Sequence, residues 1–321
     1  MKSVTRKYEI VERDLELFDL ELEDVQIWRL VRKPVFSLVS GTEPEGQIGR
    51  EPGRVFREYS KALIAFSKNL VYKNPLLSKE HDIVSVGNGR RKQVDGIYYD
   101  IYCDPILELD DFDILHLERH WRLEHPKPAA THPMRYLDII THGSAILRAL
   151  GLFRPEFSDV EQQRLRDLQS ALEQSFGTMP SVRPVIENRV HRHKTTLNLF
   201  KYLLGKIDPE LLLIVCSYGQ ETLMQASQSQ STPVVELQHG VIHPDDLGYS
   251  FPQDTPVRPF PDYLLVWGEF WRQNADFPLP DDRIIPVGYP WLEQGINQYA
   301  GVTPSDQVLF ISQPGYGCVL L

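Results

Sequence analysis

The sequence contains few cysteines and no long apolar run. Its three cysteines, Cys103, Cys216 and Cys318, form no Cys-x-x-Cys pair, and any disulfide scheme leaves one of them over. This usage fits a reducing compartment. No stretch approaches the roughly 20 apolar residues of a membrane-spanning helix, and the basic N-terminus lacks the apolar core of a signal peptide. We therefore expect a cytoplasmic, globular protein.

Positive charge and metal-binding motifs are also scarce. Lys and Arg number 34 against 44 for Asp and Glu, which gives a formal net charge of -10. This balance argues against a nucleic-acid partner, because phosphate-binding surfaces of that kind are basic. The spacing of His116, His120, His125, His132 and His142 matches no zinc signature. We therefore expect no metal.

Apolar periodicity predicts several helices. They are expected over residues 53–70, from the capping box of Ser158 and Glu161 to Gly177, and from about Val182 to Gly205. A further helix before residue 36 should kink or end at Pro34. In the helix that begins near Val182, His193 lies on the apolar stripe. Packing in the core therefore explains this histidine better than a functional role does.

Short apolar runs predict the strands. They are expected over 83–86, 112–117, 211–216, 233–237, 263–267, 284–287 and 308–312. Asp95-Gly96 has the sequence of a two-residue hairpin turn. Continuous apolar strands that alternate with helices and loops indicate an α/β fold with a parallel sheet covered on both faces.

The segment from Val234 to Gly240 carries the strongest functional signal. It is a buried strand that ends in Gln238, His239 and Gly240. Ligands of open α/β sheets bind beyond the carboxyl ends of the strands, and a histidine there can accept a proton or hold a phosphate. The alternative is that His239 only hydrogen-bonds the next loop.

Two further loops are candidates for substrate binding. Gly87-Asn88-Gly89 precedes Arg90 and Arg91, which could clamp an anion, although a solvated turn is the favoured interpretation. Tyr218 and Gly219 follow a buried strand and open a helix, whose first amides could meet an anion. The nearby Glu221 is also explained as a first-turn carboxylate that stabilises the helix dipole.

An ordered set of short motifs occupies residues 205–312. In chain order they are Ser217-Tyr218-Gly219, Gln238-His239-Gly240, Gly248-Tyr249, Pro261-Asp262-Tyr263, Trp267-Gly268 and Val287-Gly288-Tyr289-Pro290. The set resembles the first domain of GT-B-fold glycosyltransferases of capsule and cell-surface polysaccharide synthesis. It is similar, more distantly, to CDP-glycerol glycerophosphotransferases and UDP-N-acetylglucosamine 2-epimerases.

The resemblance implies a domain organisation. Residues 1–300 would form the N-terminal, acceptor-side Rossmann-like domain with a helical N-terminal segment, and residues 301–321 would begin the nucleotide-sugar-binding domain. A second Rossmann-like domain needs on the order of 100 residues, and nine follow Ser312. We therefore expect the second domain to be truncated and the chain to be inactive alone.

The resemblance also implies an activity. The chain would help transfer a sugar, or a sugar-like phosphate unit, from a nucleotide sugar to a surface glycan acceptor without a metal or other cofactor. His239 would orient or deprotonate the acceptor, with Tyr218, Arg90 and Arg91 as further contacts. Peripheral association with membrane-bound polysaccharide machinery is implied too. Two alternatives stay open: a nucleotide-sugar epimerase or hydrolase, and a non-catalytic glycan-binding or scaffold protein without a donor domain.

Overall fold

The computed structural model describes residues 2–41, 52–109, 111–252, 255–298, 301–303 and 306–307. Internal contacts divide the chain into one unit from Met1 to Gly288 and a second from Tyr289 to Leu321. In the described residues, no helix combines the length and the apolar character needed to cross a membrane.

The elements follow in chain order. The strands are β1 (Glu21–Leu22), β2 (Val25–Gln26), β3 (Ile83–Val86), β4 (Lys92–Val94), β5 (Ile97–Tyr99), β6 (Ile114–Glu118), β7 (Met134–Tyr136), β8 (Leu211–Val215), β9 (Val234–Leu237), β10 (Tyr263–Val266) and β11 (Ile284–Pro286). The helices are α1 (Lys2–Asp14), α2 (Trp28–Ser40), α3 (Pro52–Val71), α4 (Asp104–Leu107), α5 (Asp138–Ala149), α6 (Asp159–Phe176), α7 (Arg183–Ile207), α8 (Glu221–Gln228), α9 (Glu269–Arg272) and α10 (Pro290–Gln298).

Seven strands form one sheet in the order β11-β10-β9-β8-β3-β6-β7, and every pairing in it is parallel. The predicted parallel α/β sheet is confirmed. Starting from β3, the chain first adds β6 and β7 on one side and then β8 to β11 on the other. This is the strand order of a Rossmann-like sheet, whose direction of growth reverses between β3 and β8.

Both faces of the sheet are covered, unequally. On one face, Val84, Leu212 and Ile214 pack against buried residues of α5, α7 and α8. On the other face, Leu213 and Val235 belong to a smaller cluster that includes Cys103. Burial on both faces explains why these strands read as continuous apolar runs.

A second core holds the N-terminal helices. Tyr8, Trp28, Leu168 and Ile186, from α1, α2, α6 and α7, belong to one buried cluster. At the start of α6, the Ser158 hydroxyl and the Glu161 carboxylate form the predicted capping box.

Other predictions met mixed outcomes. The Asp95-Gly96 hairpin is confirmed, with both residues at positive φ between β4 and β5. Pro34 was predicted to kink or end a helix, and it does not end one, because α2 continues to Ser40. The predicted stop at Gly205 is also wrong: α7 continues to Ile207, and the left-handed residue that ends it is Asp208.

The helix predicted over 53–70 is present as α3, but its apolar stripe is only partly covered. Tyr59 is 71% exposed and Leu63 is 59% exposed. Both line a cavity of about 1040 Å³ between α3 and α5. The apolar stripe of α3 therefore packs against α5 only in part.

The second unit is described mainly by α10. The Glu293 carboxylate accepts the Tyr289 amide at 3.3 Å, which satisfies one free amide at the start of this helix. The predicted strand 308–312 lies outside the described residues, as does most of the predicted second domain at 301–321.

Candidate functional site

The reversal between β3 and β8 creates a crevice at the carboxyl edge of the sheet. Glycine is required in the loop after β3, because a Cβ on Gly87 would lie 2.4 Å from Asp100 Oδ2 and one on Gly89 would lie 2.7 Å from the Arg119 carbonyl. The loop after β8 begins with Cys216 at φ 71. This left-handed conformation is strained for a residue with a side chain and turns the chain sharply into α8.

Cys216 is not an activated nucleophile. Burial and the nearby Glu236 raise the pKa of its thiol to about 12, so the thiol stays protonated at neutral pH. Its Sγ lies 3.6 Å from the Tyr218 carbonyl. Cys216 thus belongs to the turn that leads to Tyr218 and Gly219, and it is not a nucleophile.

His239 lies at the carboxyl end of β9, as predicted, and it is half-buried. Its Nε2 lies 2.9 Å from the Tyr218 hydroxyl and its Nδ1 lies 3.2 Å from the Tyr249 hydroxyl. Tyr249 in turn donates at 2.5 Å to Oε1 of Glu236, which is fully buried on β9. A chain of hydrogen bonds thus runs from Glu236 through Tyr249 and His239 to Tyr218.

The direction of these hydrogen bonds sets the tautomer of His239. Glu236 Oε1 accepts both the Ser217 amide at 2.8 Å and the Tyr249 hydroxyl, so the Tyr249 proton is already in use. The Tyr249 oxygen must therefore accept the proton of His239 Nδ1. The Nε2 lone pair is left to accept the hydroxyl of Tyr218.

Electrostatics keep this imidazole neutral. Burial lowers the pKa of His239 to about 4, with the cations Lys33 and Arg90 adding to the effect and Asp246 opposing it. Burial raises the pKa of Glu236 and that of Tyr218. At neutral pH, His239 therefore offers an unprotonated Nε2 to a hydroxyl, which is the state that a general base requires.

Tyr218 connects the chain of hydrogen bonds to open space. Tyr218 and Gly219 line a cavity of about 150 Å³ with Arg29 and Lys33 of α2. The Lys33 ammonium lies 3.4 Å from the centre of the Tyr218 ring, and this contact holds the ring in place. The structure thus brings the predicted Tyr218, Gly219 and His239 together.

The predicted Gln238 and Gly240 follow the same strand. The Gln238 side chain is buried, donating to the Gly240 carbonyl and accepting the Trp267 amide, both at 2.8 Å. Its hydrogen-bonding groups therefore tie β9 to the end of β10. Gly240 is half-buried and has open space where a Cβ would lie.

Arg90 and Arg91 lie in different environments. Arg90 is exposed, and its guanidinium lies 4.7 Å from the centre of the Trp121 ring. The Arg91 side chain is 1% exposed and is paired with Glu118, and it donates to the Thr131 hydroxyl at 2.7 Å. The two arginines therefore do not form the predicted common clamp, because Arg91 is held by Glu118 and Thr131 while Arg90 lies over Trp121.

A cation-lined cavity adjoins the crevice, and the sequence analysis did not identify it. Arg119 follows β6, while Arg189 and Arg192 lie one turn apart on α7, and all three line a cavity of about 230 Å³ with Gly219 and Glu221. The position of Arg119 directly after a strand could have indicated that it lies near the carboxyl edge of the sheet. The arginines on α7 gave none, because their distance from the crevice depends on how that helix packs.

Two histidines and one carboxylate also meet near the carboxyl end of β6. Ligand atoms of His120, Asp138 and His142 lie within 4.8 Å of one another. Asp138 and His142 are one turn apart on α5, a relation that a search for zinc-finger spacing does not detect. Nδ1 of His120 accepts the Leu123 amide at 3.3 Å, so metal binding through Nε2 would require the other tautomer. These residues could hold a divalent ion after that exchange.

No known protein-family model matches the chain, and a search of curated proteins finds no significant match.

Proposed function

We propose that this chain is the acceptor-side domain of a GT-B-like glycosyltransferase. It would transfer a sugar, or a sugar-like phosphate unit, from a nucleotide-activated donor to a surface polysaccharide in the cytoplasm or at the inner face of the membrane. The observation that carries the proposal is the chain of hydrogen bonds from Glu236 to Tyr218, which ends beside a cavity at the carboxyl edge of a Rossmann-like sheet.

Glycosyl transfer requires a base for the acceptor hydroxyl. As the acceptor oxygen attacks the anomeric carbon, the bond from that carbon to the nucleotide phosphate breaks and the hydroxyl loses its proton. The Tyr218 oxygen would take this proton while the Tyr218 hydroxyl passes its own to His239 Nε2, 2.9 Å away. Glu236, reached through Tyr249, would offset the positive charge that His239 then carries.

The surrounding charges suit this reaction. Arg29 and Lys33 line the cavity beside Tyr218, and positive charge stabilises the phosphate oxygens of a departing nucleotide. Such contacts can replace a metal ion, so the proposal includes no cofactor. The nucleotide sugar is the substrate.

The proposal is tested with His239→Gln and a matched control, His243→Gln. His243 lies four residues later in the loop after β9, and its side chain is 62% exposed. Because the chain alone is expected to be inactive, the variants are assayed in a protein that also carries a nucleotide-sugar-binding domain. This protein is incubated with a panel of nucleotide sugars, with and without surface-polysaccharide oligosaccharides, and nucleotide release is measured. Loss of a general base lowers such rates by about 10²–10⁴-fold. We expect this loss for His239→Gln and wild-type rates for His243→Gln.

One observation favours a competing function. Both ring nitrogens of His239 are hydrogen-bonded within the protein, an arrangement that also suits a purely structural histidine in a non-catalytic glycan-binding protein. Glycan binding without nucleotide release from any donor would support that function and refute transfer. Release that does not depend on the glycan would instead indicate an epimerase or hydrolase.

A further inference from the structure

The cavity between α5, α7 and α8 concentrates positive charge in an acidic chain. Arg119, Arg189 and Arg192 line it, and Glu221 is the one carboxylate among the described residues of its lining. The formal net charge of the whole chain is -10, so the local excess of arginine does not reflect the average composition. Like charges repel at short range, and such a cluster is unfavourable unless an anion occupies it.

The three guanidinium groups have little internal compensation. Among the described residues no carboxylate forms a salt bridge with any of them, and the one hydrogen bond that Arg119 donates reaches the Gly219 carbonyl at 3.4 Å. Desolvation and the charges of Arg189, Arg119 and Arg148 lower the pKa of Arg192 to about 10, although the residue keeps an exposed face. Glu221 offsets only part of this charge: its carboxylate opposes the lowering of the pKa of Arg119 and of Arg192, and its Oε1 also accepts the Gly219 amide at 2.8 Å.

Two buried side chains in the same lining each carry one polar atom without a partner among the described residues. His193 is 1% exposed and Thr196 is 9% exposed, and both line the cavity. His193 Nδ1 meets the Thr222 hydroxyl at 2.9 Å, while its Nε2 and the Thr196 hydroxyl have no hydrogen-bond partner in the part of the chain that the structure describes. Buried groups of this kind are normally satisfied, so two that line a cavity are available to hydrogen-bond a polar ligand that enters it.

The ligand must be anionic, small and rich in hydrogen-bond acceptors. Guanidinium groups bind phosphate oxygens through paired N–H donors, and hydroxyl and imidazole N–H groups add single bonds. The cavity of about 230 Å³ has room for about eight water molecules at roughly 30 Å³ each. That volume admits one or two phosphate groups.

We propose that this cavity binds the phosphate or diphosphate group of a substrate, through Arg119, Arg189, Arg192, His193 and Thr196. Gly219 lines both this cavity and the one beside Tyr218, so a phosphate held here lies next to the proposed proton relay. The inference goes beyond the proposed function, because phosphate binding here does not require glycosyl transfer.

The test is isothermal titration of the full chain with inorganic pyrophosphate at constant ionic strength. The variant Arg189→Gln/Arg192→Gln is compared with Arg183→Gln, which alters an exposed arginine on the same helix that pairs with Glu187. We expect the double variant to lower the affinity at least about tenfold, since it removes two charge-assisted donors. Arg183→Gln should leave the affinity unchanged.

A second variant and a second set of probes complete the test. Thr196→Val removes the Thr196 hydroxyl with little change in shape. We expect this variant to bind pyrophosphate severalfold more weakly while its circular dichroism spectrum stays unchanged. Equal affinity for pyrophosphate and uridine diphosphate would assign the site to phosphate groups in general, and tighter uridine diphosphate would assign it to the donor. Absence of pyrophosphate binding at millimolar concentration, or equal affinities for the double variant and Arg183→Gln, would overturn the proposal whatever the transferase assay shows.

Discussion

The substitution Glu12→Gln should destabilise the protein strongly. Glu12 and Arg32 form a buried ion pair in which Nε donates to Oε1 at 2.6 Å and Nη2 donates to Oε2 at 2.8 Å, with side-chain exposures of 0% and 2%. Trp28 Nε1 also donates to Oε1 at 2.7 Å. Glutamine would remove the negative charge and place its amide N–H₂ against the donors of Arg32.

The magnitude follows from what is left behind. A guanidinium without its counter-charge would remain in the core, still donating to the carbonyls of Leu247 and Ser250 at 2.8 and 2.7 Å. Removing one partner of such a buried pair lowers the free energy of unfolding by about 3–5 kcal/mol. That is a large part of a typical stability of about 5–15 kcal/mol. At about 2–3 °C per kcal/mol for a protein of this size, the melting temperature should fall by roughly 6–15 °C.

Urea unfolding followed by circular dichroism at pH 7 measures the change, and Glu187→Gln is the matched control. Glu187 meets Arg183 at the same 2.6 Å, but those side chains are 40% and 49% exposed. Loss of this exposed ion pair should lower the free energy of unfolding by about 0.5 kcal/mol or less. If Glu12→Gln and Glu187→Gln have the same effect on the free energy of unfolding, the ion pair of Glu12 is not buried in solution and the reasoning is refuted.

The remaining predictions concern the relay and the response to acid. Gly248→Ala should displace Tyr218 from His239, because the new Cβ would lie 2.6 Å from Tyr218 Cδ1. An NMR titration should then show a His239 pKa above about 4, and an unchanged value would contradict the packing. Stability should decline as the pH falls from about 6.5 to 4, because burial lowers the pKa of His193 to about 4 and protons then bind the unfolded chain more tightly. Asp104 opposes this trend, because burial raises its pKa to about 6. In the variant His193→Gln, the urea midpoint of unfolding should decline less steeply as the pH falls. If the midpoint of the variant depends on pH as steeply as that of the wild type, His193 is not a cause of the decline.

Much of the sheet is predictable from local pattern, because buried parallel strands are apolar on both faces. The predicted strands 83–86 and 284–287 lie within a residue of β3 and β11. β7 was missed because its three residues follow a proline-rich stretch and carry no apolar run. The helix ends at Pro34 and Gly205 were misplaced for a related reason: packing in the tertiary structure outweighs the local preference of one residue.

The candidate site was only partly predictable. His239 and Tyr218 follow strands directly, and a parallel sheet brings the ends of its strands to one edge, so sequence order alone placed them together. Arg91 was misjudged because a run of charges reads as solvated, whereas its partner Glu118 lies 27 residues away in sequence. Tyr249 connects His239 to Glu236 from a long loop, and no local pattern indicates where such a loop returns.

The N-terminal helices are part of the candidate site and do more than extend the core. Helix α2 places Arg29, Arg32 and Lys33 on the side that faces the crevice: Arg29 donates to the Ser217 hydroxyl at 3.0 Å, and Lys33 lies over the Tyr218 ring. Arg32 connects the same helix to the loop that carries Tyr249, by its hydrogen bonds to that loop's carbonyls. The buried pair with Glu12 therefore positions both tyrosines that flank His239, because it holds the helix on which the loop and the Tyr218 ring rest. It follows that stability and relay geometry are coupled through α2, and that a variant weakened at Glu12 should lose the neutral, hydrogen-bonded state of His239 before the sheet itself unfolds.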